Sequence, residues 1–324
     1  MKSIQIVIDA ERQATHRLAW VSPHYFPSMS PLAWTLQGAI GSLKKRYGQI
    51  VVSAAGFGNR VFDGVPVVDG SDCLRRELKT ALRLLRPQHL VCHISTAAEV
   101  VEIAARVNAR VIVKLTESSL TQAPPPLSSG CRDVRFFCQE QWIAHRAWST
   151  WGIRPALVNP IVLPWVSKAT YEVTREHILY LGNCAAPAGR AAASFAARQT
   201  GRELLLLTDV SANTQQRMRM PHLLYASACL LVVDARSADC VSHFVLGAIL
   251  NEVPVLLGGE ECAEEWHEMV VRVDNPHDEL EWEYCIQDVL CHSSQVGARR
   301  LRSKHATEVG THWQSADSYS NLLS

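Results

Sequence analysis

Two hydrophobic periods alternate along this chain. Short, nearly unbroken apolar runs fit strands buried on both faces, as in HRLAWVSP (His16–Pro23), HLVCHIS (His89–Ser95) and ARVIVKL (Ala109–Leu115). Between them, apolar residues recur at helical spacing. Leu32, Leu36, Ile40 and Leu43 share one helix face. In Arg75–Arg86, Leu78, Leu82 and Leu85 point one way, Arg76, Lys79 and Arg83 the other, and Pro87 stops the helix. Ile50–Ala54 and Val134–Cys138 add strands, Val100–Val107 a helix, and QAPPPLSSG (Gln122–Gly130) a loop. This β-α-β-α rhythm predicts a parallel sheet covered on both faces.

The rhythm breaks between Ala144 and Ser167, where Trp148, Trp151 and Trp165 accompany prolines. A proline-rich connection between domains is expected there, packed by tryptophans. Alternation resumes with the strand HILYLGN (His177–Asn183), a helix of small residues and the strand ELLLLTD (Glu203–Asp209). Leu223–Gly259 then reads as a short helix, a buried strand, a tight loop, a second helix and another buried strand. Val270–Val273 is a short strand and the tail from Leu280 is helical. The expected fold class is α/β, with two doubly wound Rossmann-like domains facing each other across a cleft. Residues 1–160 form the first domain and 161–305 the second.

A chain of 324 residues suffices for two such cores. Lys and Arg total 32 against 31 Asp and Glu, a net charge of +1, which argues against a nucleic-acid partner. No apolar run approaches the roughly 18 residues that span a bilayer. The apolar stretch in MKSIQIVIDAERQ is too short for a signal peptide and soon meets Asp9, Glu11 and Arg12, so a cytoplasmic location is expected. Ten cysteines without a C-x-x-C pair read as small buried hydrophobes. Neither Cys285, Cys291 and His292 nor Cys131, Cys138 and His145 has the spacing of a zinc motif, and no D-x-D pair offers a divalent-ion site, so no metal is expected.

The loop between Asp234 and Ser242 opens a helix, and backbone N–H groups at a helix start suit a phosphate. Several motifs, in shared order, carry a resemblance. They are the loop Ser22–Ser30, His93 at a strand end, Glu117 after ARVIVKL, Val158-Asn159-Pro160, ILYLGN, LLYASACLLVV, VPVLLGG and HWQSADSYSNLL. Together the chain resembles a two-domain, GT-B type glycosyltransferase of the large retaining group-1 family over nearly its whole length. The resemblance implies a nucleotide diphosphate sugar as donor, a hydroxyl-bearing acceptor, no separate cofactor, and a closing helix (306–324) that returns to the first domain.

By that resemblance Asp239, His93 and Glu117 carry chemistry, and Ser28 lies near the acceptor. Gly182, Asn183, Arg190, Ser242 and His243 hold the donor. Two departures stand out. The family's E-x7-E pair becomes Asp239 and Gly247, and its Arg and Lys after the strand-end glycine become Asn183 and Ala188, leaving Arg190 as a substitute. Each residue also has a plainer role open: His93 as a packed histidine, Asp239 as a helix cap, His243 as a stacked ring. Ala298–His305 is basic and fits either an anionic membrane surface or a solvated helix face. A GT-B-like binding or scaffolding subunit without transfer activity is the alternative function. The oligomeric state stays open.

Overall fold

The structure is a computed structural model and describes residues 2–25, 30–116, 120, 134–160, 175–182, 187–207, 221–236, 241–259, 266, 269–292 and 317–323. The first half contains α1 (Lys2–Arg12), β1 (Arg17–Ser22), α2 (Pro31–Leu43), β2 (Gly48–Ser53), β3 (Arg60–Phe62), β4 (Val65–Asp69) and α3 (Leu74–Leu85). There follow β5 (His89–His93), α4 (Ala97–Ala104), β6 (Arg110–Lys114), β7 (Val134–Cys138), α5 (Gln141–Trp151) and β8 (Ala156–Leu157). These strands form one eight-stranded sheet in the order β3-β4-β2-β1-β5-β6-β7-β8. All neighbours are parallel except the β3–β4 hairpin. Asp63 and Gly64 turn that hairpin with positive φ of 48° and 73°, the geometry that Asp-Gly favours between two strands.

The second half contains β9 (His177–Leu181), α6 (Pro187–Gln199), β10 (Glu203–Leu206), α7 (Pro221–Ala226) and β11 (Ala228–Asp234). It continues with α8 (Val241–Leu250), β12 (Val255–Gly258), β13 (Val271–Val273) and α9 (Glu279–His292). Its sheet is parallel throughout, in the order β10-β9-β11-β12-β13. The strand alternation sends Ile178 and Tyr180 to a core with α6 and Trp282 of α9. Leu179 and Leu181 point to the other face, in a core continuous with that of the first domain. Both sheet faces are therefore apolar, as buried parallel strands require.

α/β architecture with two doubly wound domains is what the sequence predicts. Three elements differ from expectation. Lys2–Arg12 is a helix, tied to the first sheet because Glu11 accepts a hydrogen bond from the Gln49 N–H at 2.6 Å. The β3–β4 hairpin adds an antiparallel edge to the expected parallel sheet. The stretch from Ala144 to Trp151 belongs to α5 rather than to a proline-rich connection, because Trp142, Ile143 and Ala147 form a buried helical face. Gly152, left-handed at φ 67°, ends it.

The last helix, α10 (Asp317–Leu323), packs on the first domain. The Tyr319 ring meets Phe137 edge-on at 5.8 Å, and its hydroxyl accepts from Gln139 Nε2 at 3.2 Å. Arg135 donates to the Leu322 carbonyl at 3.3 Å.

Candidate functional site

In open parallel sheets, ligands sit beyond the carboxyl ends of the strands, where strand order reverses. The first sheet reverses between β1 and β5, and Ser22 and His93 end those strands. A cavity of about 30 Å³ lies there, bounded by Ser22, Thr35, Cys92, His93, Lys114 and Tyr319 among others. Space of that size admits about one or two water molecules and nothing larger. Lys114, buried at the end of β6, donates to Thr35 Oγ1 of α2 at 3.1 Å.

The second sheet reverses between β9 and β11, whose chain ends lead to Gly182 and to α8. Every residue of α8 from Val241 to Ile249 is buried. Its first turn does not face solvent; it meets the first domain. The Ser242 N–H donates to Glu140 Oε1 at 3.3 Å. Trp34 of α2 stacks on Phe244 at 5.5 Å with the rings 19° apart, and stands edge-on to His243 at 6.3 Å. Trp34, Glu140, Ser242 and His243 are at most 2% exposed. A helix start carries partial positive charge, so the Glu140 carboxylate is held where an anion is favoured. Ser242 Oγ is buried beside it with no hydrogen-bond partner among the described residues. Glu140 stands at the N-cap of α5 yet gives that helix no side-chain cap; its carboxylate crosses the seam instead.

The predicted residues fall unevenly around this seam. Ser242 and His243 lie in it. His93 caps the turn after β5: Nδ1 accepts from the Ser95 N–H at 3.2 Å, and Nε2 lies 3.2 Å from Thr116 Oγ1. Nδ1 as acceptor places the proton on Nε2, which then donates to Thr116. Arg190 is half-buried in the first turn of α6. Gly182 is buried, and a Cβ there would meet the Tyr180 hydroxyl at 2.6 Å, so packing demands the glycine. Glu117, Asn183 and Asp239 lie outside the described residues, as do Ser28 and the basic stretch 298–305.

Gly247, where a ribose-binding carboxylate would stand in the family pattern, sits against Tyr225. A Cβ at Gly247 would lie 2.7 Å from the Tyr225 hydroxyl. That hydroxyl donates to the Phe244 carbonyl at 3.4 Å, and burial drives its pKa far up, so it stays a neutral donor. The space for a longer side chain is therefore already filled by a neutral ring.

Sequence reasoning overlooked Trp34, Glu140 and Tyr225, and also an ion pair at the end of β11. Asp234, fully buried, takes both arms of the Arg236 guanidinium at 2.9 and 2.7 Å. Arg236 also donates to the Pro276 carbonyl at 2.7 Å and lies 2.9 Å from His277 Nδ1. The hydrogen bonds to Asp234 push the Arg236 pKa up. A signal was available: Asp234 is the one charged residue of a wholly buried strand. Among the described residues, no group of three His, Cys, Asp or Glu side chains is placed to hold a metal ion.

No protein-family model matches the chain, and no curated protein matches its sequence. Solved structures do match. Sucrose-phosphate synthase from Thermosynechococcus elongatus superposes with a TM-score of 0.65 at 10% identity, covering 95% of this chain and 99% of that one. HepE from Anabaena in complex with UDP-glucose gives 0.66 at 10% identity, with the same 95% and 99% coverage. MnaA from S. aureus with UDP gives 0.59 at 9% identity, covering 95% of each chain. The chain has the GT-B fold.

Proposed function

We propose that this protein moves a sugar from a nucleotide diphosphate sugar to a hydroxyl acceptor. One observation carries the reading: at the start of α8, in the seam between the two sheets, a backbone N–H already holds an anionic group, the Glu140 carboxylate. A diphosphate presented to Ser242 and His243 would take that place, since helix-start amides and the Ser242 hydroxyl, unpaired among the described residues, favour it. Arg190 in the first turn of α6 is the cation we assign to the leaving diphosphate. Asp239, two residues ahead of α8 in the chain, is assigned to the transferred sugar, and Glu117 and His93, the latter at the end of β5, to the acceptor side. Structural neighbours solved with UDP-glucose or UDP support a nucleotide sugar as the donor class. Retention of anomeric configuration, work without a metal and a cytoplasmic setting are parts of the same proposal. No described helix is long and apolar enough to cross a membrane.

The seam bears on mechanism. Its aromatic contacts exclude water, so donor entry requires the first turn of α8 to separate from Trp34 and Glu140, and reclosure would keep water from hydrolysing the donor.

A second reading, a GT-B-like binding subunit without transfer activity, is favoured by Gly247, whose side-chain space Tyr225 occupies. Calorimetric titration with UDP, ADP, GDP and dTDP separates the two. Binding of one nucleotide, with release of that nucleotide from its sugar conjugate and loss of release in Asp239→Ala, is expected. No binding of any nucleotide at millimolar concentration would leave only the second reading standing.

A further inference from the structure

The margin of the first sheet carries a groove that the donor site does not use. It measures about 530 Å³ and lies between β7, β8 and α10, within the size range of small-ligand sites. Phe136, Leu157 and Leu322 give it apolar walls, and Arg135 and Arg154 line it from different elements. Among the described lining residues none is acidic. The Arg154 guanidinium lies 4.2 Å from the Trp148 ring, a cation–π arrangement that presets its direction. No carboxylate pairs with it among the described residues. Trp148 is 47% exposed and Leu157 51%, both among the largest apolar side chains left in solvent.

Two cations beside exposed apolar side chains match one ligand chemistry: a phosphate joined to a hydrocarbon chain. Guanidinium forks recognise phosphate oxygens in pairs. Tryptophan and arginine are the side chains that settle at the headgroup level of a bilayer. A free phosphate would use the arginines and leave Leu157 and Trp148 unexplained. We propose that this groove binds the phosphate and upper chain of an anionic lipid and so seats the first domain on a membrane surface. The proposal does not depend on glycosyl transfer.

Arg135 also holds the Leu322 carbonyl, so changing it would disturb α10. Arg154 and Leu157 are the informative positions, because both are exposed. The full-length chain is sedimented with phosphatidylcholine vesicles and with vesicles in which about a third of the lipid is phosphatidylglycerol. Binding to the anionic vesicles alone is expected, weakened by salt, and weakened about fivefold by Arg154→Gln, the worth of one basic residue at such a surface. Leu157→Ser should weaken it to a similar degree, with melting temperatures showing that both variants fold. A short-chain phosphatidylglycerol should compete, and glycerol phosphate far less. The proposal is overturned by absence of binding to the anionic vesicles, by equal binding of wild type and both variants, or by glycerol phosphate competing as well as the lipid.

Discussion

Glu140→Gln separates two roles that one carboxylate plays at the seam. Glutamine keeps the shape and an oxygen able to accept the Ser242 N–H, and removes only the charge. The contact spans 3.3 Å between groups that are 2% and 0% exposed, so solvent screens it little. A hydrogen bond to a charged group contributes about 1.5–3 kcal/mol and a neutral one about 0.5–1.5. The charge at a helix start adds about 0.3–1 kcal/mol. The variant should therefore lose about 1–2 kcal/mol of seam stability. For a chain of this size that is a fall of roughly 1.5–3 °C in melting temperature. If the first turn of α8 is also where a diphosphate binds, the same change lowers the cost of vacating it. Nucleoside diphosphate affinity should then rise about 5- to 30-fold, because each 1.4 kcal/mol is about tenfold. The two effects have opposite signs, lower stability with tighter binding, and no general loss of structure produces that pair. Calorimetry with the four nucleotides measures the second, and amide exchange over 241–250 reports seam opening without any ligand. Unchanged exchange there, together with unchanged or weaker nucleotide affinity, would refute the reasoning.

Three further outcomes follow from the same geometry. Gly247→Ala should destabilise by about 1–3 kcal/mol through overpacking against Tyr225, and the penalty should shrink in a Tyr225→Phe background, as a double-mutant denaturation cycle would show. Trp34→Ala removes the ring stacked on Phe244 and should cost about 3–5 kcal/mol in urea unfolding, with exchange in α8 rising before exchange in β1. Two carboxylates should respond to pH with opposite signs. Burial pushes Asp69 up, but hydrogen bonds from Ser71 and Gly58 and the charge of Arg60 outweigh it and hold its pKa below the usual value. Its stabilisation is present above the ordinary carboxylate pKa and is lost as pH falls through the depressed value, so Asp69→Asn should flatten the acid limb of a stability–pH curve. Burial raises Glu11, despite its bond from Gln49 and the charge of Lys44. Glu11 therefore favours the fold in acid and loses that contribution as pH rises through the raised value, so Glu11→Gln should stabilise at pH 7 and make no difference in strong acid. An Asp69→Asn variant that keeps the wild-type acid limb would contradict this assignment.

The apolar runs and helical spacings determined the architecture, because burial in a parallel sheet is a local demand on residue type. HILYL, ACLLVV and HLVCH cannot rest anywhere but between two covered faces. Helices α2, α3 and α6 follow from their own spacing and from stops such as Arg86, left-handed at φ 52° before Pro87. Where apolar pattern was weak, the sequence misled. Exposed Trp148 disguises the buried face of α5, and the Asp63-Gly64 turn lies between strands of only three and five residues, too short for a clear alternation. The site was less legible still. Ser242 and His243 are found from a strand-loop-helix pattern, since the helix start is a backbone property. What that start meets is decided through space: Glu140 lies 102 residues earlier, Trp34 comes from another domain, and Tyr225 fills the Gly247 slot from a different helix. No periodicity encodes such pairings, because each side chain is locally unremarkable and acquires its role only when two sheets close on each other. The sequence by itself determined two parallel-sheet domains and where the helix after β11 starts. Only the tertiary structure decided that this helix start faces the other domain, closed by a carboxylate and a tryptophan.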